Sequence, residues 1–179
     1  MAYLAIQQPE KYGNLCPYVT NSSIEIEDYI RYMREVSWKM TPGIIGISFV
    51  HEFTNRISSY ARSKGDFSFG SSIRTYSPSS GEEQYVDETA VFIKKSLTNN
   101  LPVAMLTYWN SELKFIDVRG TEQTGNTHWM TITKYYRDTQ DNRYVAAATW
   151  GERVSLNFRA CVQSDTFLRP QFISVGWED

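Results

Sequence analysis

Apolar positions recur at helical spacing through the first hundred residues and at strand spacing after them. Ile26, Tyr29, Ile30, Met33 and Val36 lie three or four apart, which predicts a helix over residues 23 to 38 with one apolar face. Ser22-Ser23-Ile24-Glu25 in front of it reads as a capping box, and Thr41-Pro42-Gly43 ends it. A second stripe, Phe49, Val50, Phe53, Ile57, Tyr60 and Ala61, predicts a helix that stops at Gly65. A third helix over about 86 to 99 is carried by Ala90, Ile93 and Leu97 and ends in Asn99-Asn100, after a loop rich in Ser, Gly and Pro at about 77 to 84.

Beyond Leu101 the pattern shortens. Pro102 to Trp109 is an apolar run suited to a buried strand, and Leu113 to Val118 suits another. His128 to Tyr136 alternates, with Met130, Ile132 and Lys134 in phase. Asp138 to Asn142 reads as a polar turn. Tyr144 to Thr149 is a strand, Trp150-Gly151-Glu152 a tight turn into Val154, Leu156 and Phe158, and Phe172 to Trp177 a last strand. Helices first and strands later predict an α+β fold with an antiparallel sheet, and argue against alternating βαβ units. Residues 1 to 21, punctuated by Pro9, Gly13-Asn14 and Pro17, read as an irregular segment.

Length sets the domain count. A chain of 179 residues buries about 70% of its unfolded surface. This supports one core, hence a single domain over residues 1 to 179. The formal net charge of −2 argues against a general nucleic-acid partner, which would face a basic chain. No apolar run reaches the roughly 20 residues of a membrane helix. Met1 to Pro9 has neither the basic nor the long apolar region of a signal peptide, so the compartment stays open between cytoplasm and an exported mature form. The aromatic share of 15% sits mostly in the β half, where it suits sheet packing. Tyr108, Trp109, Trp129 and Trp150 stand at strand ends or turns near His128, where they would line a cleft.

Two cysteines and two histidines limit the chemistry. Cys16, His51, His128 and Cys161 show none of the paired spacings of a structural zinc site, so no metal is expected. The phosphate-binding and serine-hydrolase motifs are absent as well, and no cofactor is expected. A thiol–imidazole pair remains. The thiolate is the nucleophile, an imidazole takes its proton, a third group orients the ring, and a side-chain amide with a backbone N–H stabilises the oxyanion. His51 lies off the apolar stripe of its helix and reads as an exposed helical residue.

Three pieces of this chain resemble the later part of a papain-like cysteine peptidase, nearest the bacterial C39-like group. They are the helix, Asn-Asn-Leu-Pro-Val and strand of residues 88 to 108, the run Asn126-Thr127-His128-Trp129-Met130-Thr131-Ile132, and the hairpin through Ala148-Thr149-Trp150-Gly151. The Gly43 to Gly65 helix, with its Ser59-Tyr60 and closing Gly65, is similar to the family's middle region, so the resemblance covers about residues 40 to 160.

The resemblance implies a papain-like fold, with N-terminal helices packed against a C-terminal antiparallel sheet. It implies a thiol hydrolase or peptidase acting on a peptide or amide bond. His128 would be the base, Cys16 the nucleophile and Gln8 the oxyanion donor. Thr149 stands at the orienting position where the family has Asp or Asn. Trp109, Trp129 and Trp150 would touch the substrate. Cys16-Pro17-Tyr18-Val19 precedes the cap of the next helix and does not itself open the long helix that carries the family nucleophile. A second arrangement, His128 with Cys161, has the chain order of deubiquitinase-like peptidases but lacks their flanking Gln and Gly. Two other readings stand beside the enzyme. One is a catalytically inactive papain-like module that binds a peptide or protein partner, and the other is an unrelated small α+β ligand-binding protein.

Overall fold

The computed structural model describes residues 1–40, 49–66, 68–75, 81–107, 113–125, 128–149, 152–163 and 170–176. It is α+β; the described residues form six α-helices and an eight-stranded sheet. The chain divides into two compact units: Met1–Ser71 with Val175–Asp179, and Ser72–Ser174.

The first unit holds the helices α1 (Ala2–Gln7), α2 (Pro9–Tyr12), α3 (Ile26–Lys39) and α4 (Val50–Ser63), with a 3-10 turn at Gly13–Leu15. The segment read as irregular is therefore helical over most of its length. Leu4 and Ala5 are buried, which rewards helix formation, and Pro9 sits at the first position of α2. There its fixed φ favours the helix and its missing N–H costs nothing. Tyr12 donates from its hydroxyl to the Gly176 carbonyl at 2.8 Å, and the Gly176 N–H donates to the Gly70 carbonyl at 3.0 Å.

α4 ends as its sequence predicts. The Asp66 N–H donates to the Ala61 carbonyl and the Gly65 N–H to the Arg62 carbonyl, both at 3.0 Å, with Gly65 at φ 87°. This paired closure satisfies carbonyls that the helix end would otherwise leave open.

α3 differs from its sequence reading in two ways. The Ser23 hydroxyl donates to the Thr20 carbonyl at 3.1 Å, and Glu25 is the N-cap without a side-chain cap bond. The capping box is lost because Ser23 closes a tight turn in which Asn21 and Ser22 take positive φ. Of the helix's large apolar residues only Tyr32 is buried, while Ile26, Ile30 and Met33 are exposed.

The second unit is built on the sheet. Its strands are β1 (Ser71–Arg74), β2 (Val103–Thr107), β3 (Leu113–Ile116), β4 (Glu122–Gly125), β5 (His128–Arg137), β6 (Arg143–Thr149), β7 (Glu152–Asn157) and β8 (Gln171–Val175), in the spatial order β1-β8-β2-β5-β6-β7-β3-β4. The sheet is antiparallel, and the register from β8 through β2, β5, β6, β7 and β3 to β4 is explicit. Helix α5 (Glu82–Thr98) and the short α6 (Phe158–Val162) share a core with it: Ile93, Met105, Met130, Ile132, Val145, Val154, Leu156, Phe158 and Phe172 are buried together. α5 closes on Asn100 at φ 56°, with the Leu101 N–H reaching the Ser96 carbonyl at 2.9 Å.

A β-bulge at Thr133 breaks the expected alternation. Before it Met130 and Ile132 face the core; after it Lys134 is exposed and Tyr135 turns inward, edge-on to Phe158 at 5.4 Å between ring centroids. One extra residue in a strand shifts every later side chain to the other face. Strands β1 and β4 and helix α6 have no counterpart in the sequence reading.

Candidate functional site

His128 opens β5, the longest strand, beside Thr107 at the end of β2. The Thr107 hydroxyl lies 3.2 Å from both the N–H and the carbonyl oxygen of His128, accepting from one and donating to the other. That bridge fixes the backbone from which the imidazole projects. Thr107 was not marked by the sequence reading; its position at a strand end, opposite the histidine, is the signal that would have found it.

Thr149 ends β6, one residue beyond Ala148, which pairs with Thr131. The strand register thus brings Thr149 diagonally across to His128. The imidazole Nε2 and the Thr149 hydroxyl share a hydrogen bond at 2.5 Å. Thr149 is buried and His128 half-buried. Burial holds the His128 imidazole below its ordinary range, so the neutral ring is favoured. A hydroxyl can orient such a ring, but unlike a carboxylate it adds no charge to stabilise an imidazolium.

Cys16 lies in the first unit, buried among Ala5, Tyr32 and Tyr60. Tyr60 donates to the Leu15 carbonyl at 3.0 Å and so holds the turn that carries Cys16. Burial pushes the Cys16 thiol up, against a smaller opposing effect from the Tyr18 backbone. Gln8, half-buried, caps the end of α1 and the start of α2 in that same unit. Cys16 and Gln8 thus belong to one unit, and His128 and Thr149 to the other.

Cys161 lies in α6, inside the sheet core, with its sulfur 3.8 Å from the Met105 sulfur. Burial pushes its thiol up to about 12. It lies at the edge of a cavity of about 260 Å³ lined also by Tyr144, Ser155 and Asn157, and no histidine is among the described residues around it. His51 is exposed on α4 as expected, stacked on the Phe49 ring at 5.6 Å. Trp129 is half-buried on β5; Trp109 and Trp150 lie outside the described residues. Among the described residues no group of three or more His, Cys, Asp or Glu side chains could hold a metal, and no helix is long and apolar enough to cross a membrane.

Set against protein-family models, curated proteins and solved structures, this chain matches none of them.

Proposed function

We propose that the protein is a papain-like binding module for a peptide or protein partner, in which the histidine side of a thiol site is kept and the thiol chemistry is not in use. The observation that carries this reading is the state of the two thiols. Both are buried, and burial raises both above their ordinary value. A nucleophilic cysteine needs the opposite: partial exposure and a neighbouring positive charge that lowers its pKa. His128 faces a neutral hydroxyl, and burial favours its uncharged form. An imidazole in that state orders a strand end, but does not hold a thiolate–imidazolium pair.

The experiment is thiol labelling of the folded protein by iodoacetamide at neutral pH, read by mass spectrometry, beside cleavage of fluorescent casein. Silent thiols in the folded state, two labelled thiols after unfolding and no cleavage are expected. Fast labelling of Cys16 that His128→Ala abolishes would overturn the reading in favour of a working thiol hydrolase.

A further inference from the structure

We propose that two copies of this chain associate through α3, with the helices antiparallel about a two-fold axis. Ile26, Ile30 and Met33 are 69%, 44% and 46% exposed and form one stripe along a helix of 14 residues. The other side of that helix is anchored by buried Tyr32. A stripe of this kind on a monomer is an unfavourable contact with water, which a matching apolar face removes.

The charges beside the stripe select the occupant. With Ile26 and Met33 at one seam position and Ile30 at the other, the residues next to the seam on one side are Glu27 and Arg34. They are seven apart and hence at the same heptad position. Tyr29 and Val36 take the opposite flank. In an antiparallel pair like flanks meet, so Glu27 faces Arg34 of the second copy and Arg34 faces its Glu27. A parallel pair would set both charges against the Tyr29–Val36 flank. Flanking charges of this kind fix partner and orientation in helix pairs. Of the other charges along α3, Asp28 pairs with Arg31 at 3.6 Å and Glu35 with Lys64, both within the chain.

The contact is small. Fourteen residues span about 21 Å, and a pair of such helices buries less than the roughly 1,600 Å² of a standard interface. The association is therefore expected to be reversible and micromolar.

Charge reversal tests the arrangement, with sedimentation velocity across the micromolar range as readout and far-UV circular dichroism as the check on folding. Glu27 and Arg34 are both exposed, so neither change disturbs a core. The unaltered protein should show concentration-dependent dimerisation. Glu27→Arg alone and Arg34→Glu alone should each weaken it by about ten-fold, because each places like charges at both ends of the two-fold contact. The double variant should restore it. A protein that stays monomeric throughout, or a double variant as weak as the singles, would overturn the proposal.

Discussion

The imidazole of His128 and the hydroxyl of Thr149 meet at 2.5 Å although 21 residues separate them in the chain. The contact exists because β5 and β6 form an antiparallel hairpin whose register sets Thr131 against Ala148. Replacing Thr149 with valine keeps the shape and removes the hydroxyl. The His128 ring nitrogens are then expected to change their tautomer balance, visible as shifted ¹⁵N resonances of that ring, while the strand amides stay in place. Unmoved ring signals would mean that the hydroxyl does not orient the ring.

The same histidine sets a pH dependence. Burial holds its folded value below the ordinary 6.5, so the unfolded chain takes up the proton more readily. Its contribution to stability is complete above about pH 6.5 and is lost as pH falls through the folded value. Urea midpoints should therefore drop between pH 7.5 and pH 5.5, and His128→Asn should flatten that fall. Asp87, Asp117 and Asp138 are held below the ordinary 3.8 by their hydrogen bonds, so their loss comes only at more acid pH.

Gly65 provides a test of local backbone strain. Its φ of 87° is in the left-handed region, and a Cβ added there would meet nothing within 4 Å. Gly65→Ala should therefore cost about 1 kcal/mol from conformation alone, without any packing penalty. Chemical denaturation measures it; an unchanged midpoint would contradict the closure at Asp66.

Two residues of α5 separate the helix's faces. Ile93 is fully buried in the sheet core, whereas Val91 is 64% exposed. Ile93→Ala is expected to cost about 2–5 kcal/mol and Val91→Ala within about 0.5 kcal/mol. Equal losses would place the helix the wrong way round on the sheet.

Cys161 tests whether its thiol serves the core. At 2% exposure beside Met105 it behaves as a small apolar side chain. Cys161→Ser buries a hydroxyl in its place and should cost about 1–3 kcal/mol, more than Cys161→Ala. A serine variant as stable as the alanine one would show that a polar partner is within reach.

Much of the element order is legible in the chain because its signals are local. Gly65 and Asn100 supply the left-handed backbone that closes α4 and α5. The apolar runs after Leu101 give β2, β5, β6 and β8 close to their observed bounds. The bulge at Thr133 is not legible, since Thr-Ile-Thr-Lys continues an unbroken alternation and only pairing with β6 reveals the extra residue. The N-terminal helices were hidden by reading Pro9 as a break, when it starts α2.

The sequence by itself determined helix ends, strand spacing and the small inventory of two thiols and two imidazoles, because caps, turns and periodicity depend on neighbours a few residues away. Only the tertiary structure decided which faces were covered. An apolar stripe on α3 reads the same whether buried or exposed, and Ile26, Ile30 and Met33 are exposed. A cysteine reads the same whether reactive or sealed, and Cys16 and Cys161 are sealed. Burial and the meeting of His128 with Thr149 depend on long-range packing, and no short window of sequence contains the partner that settles them.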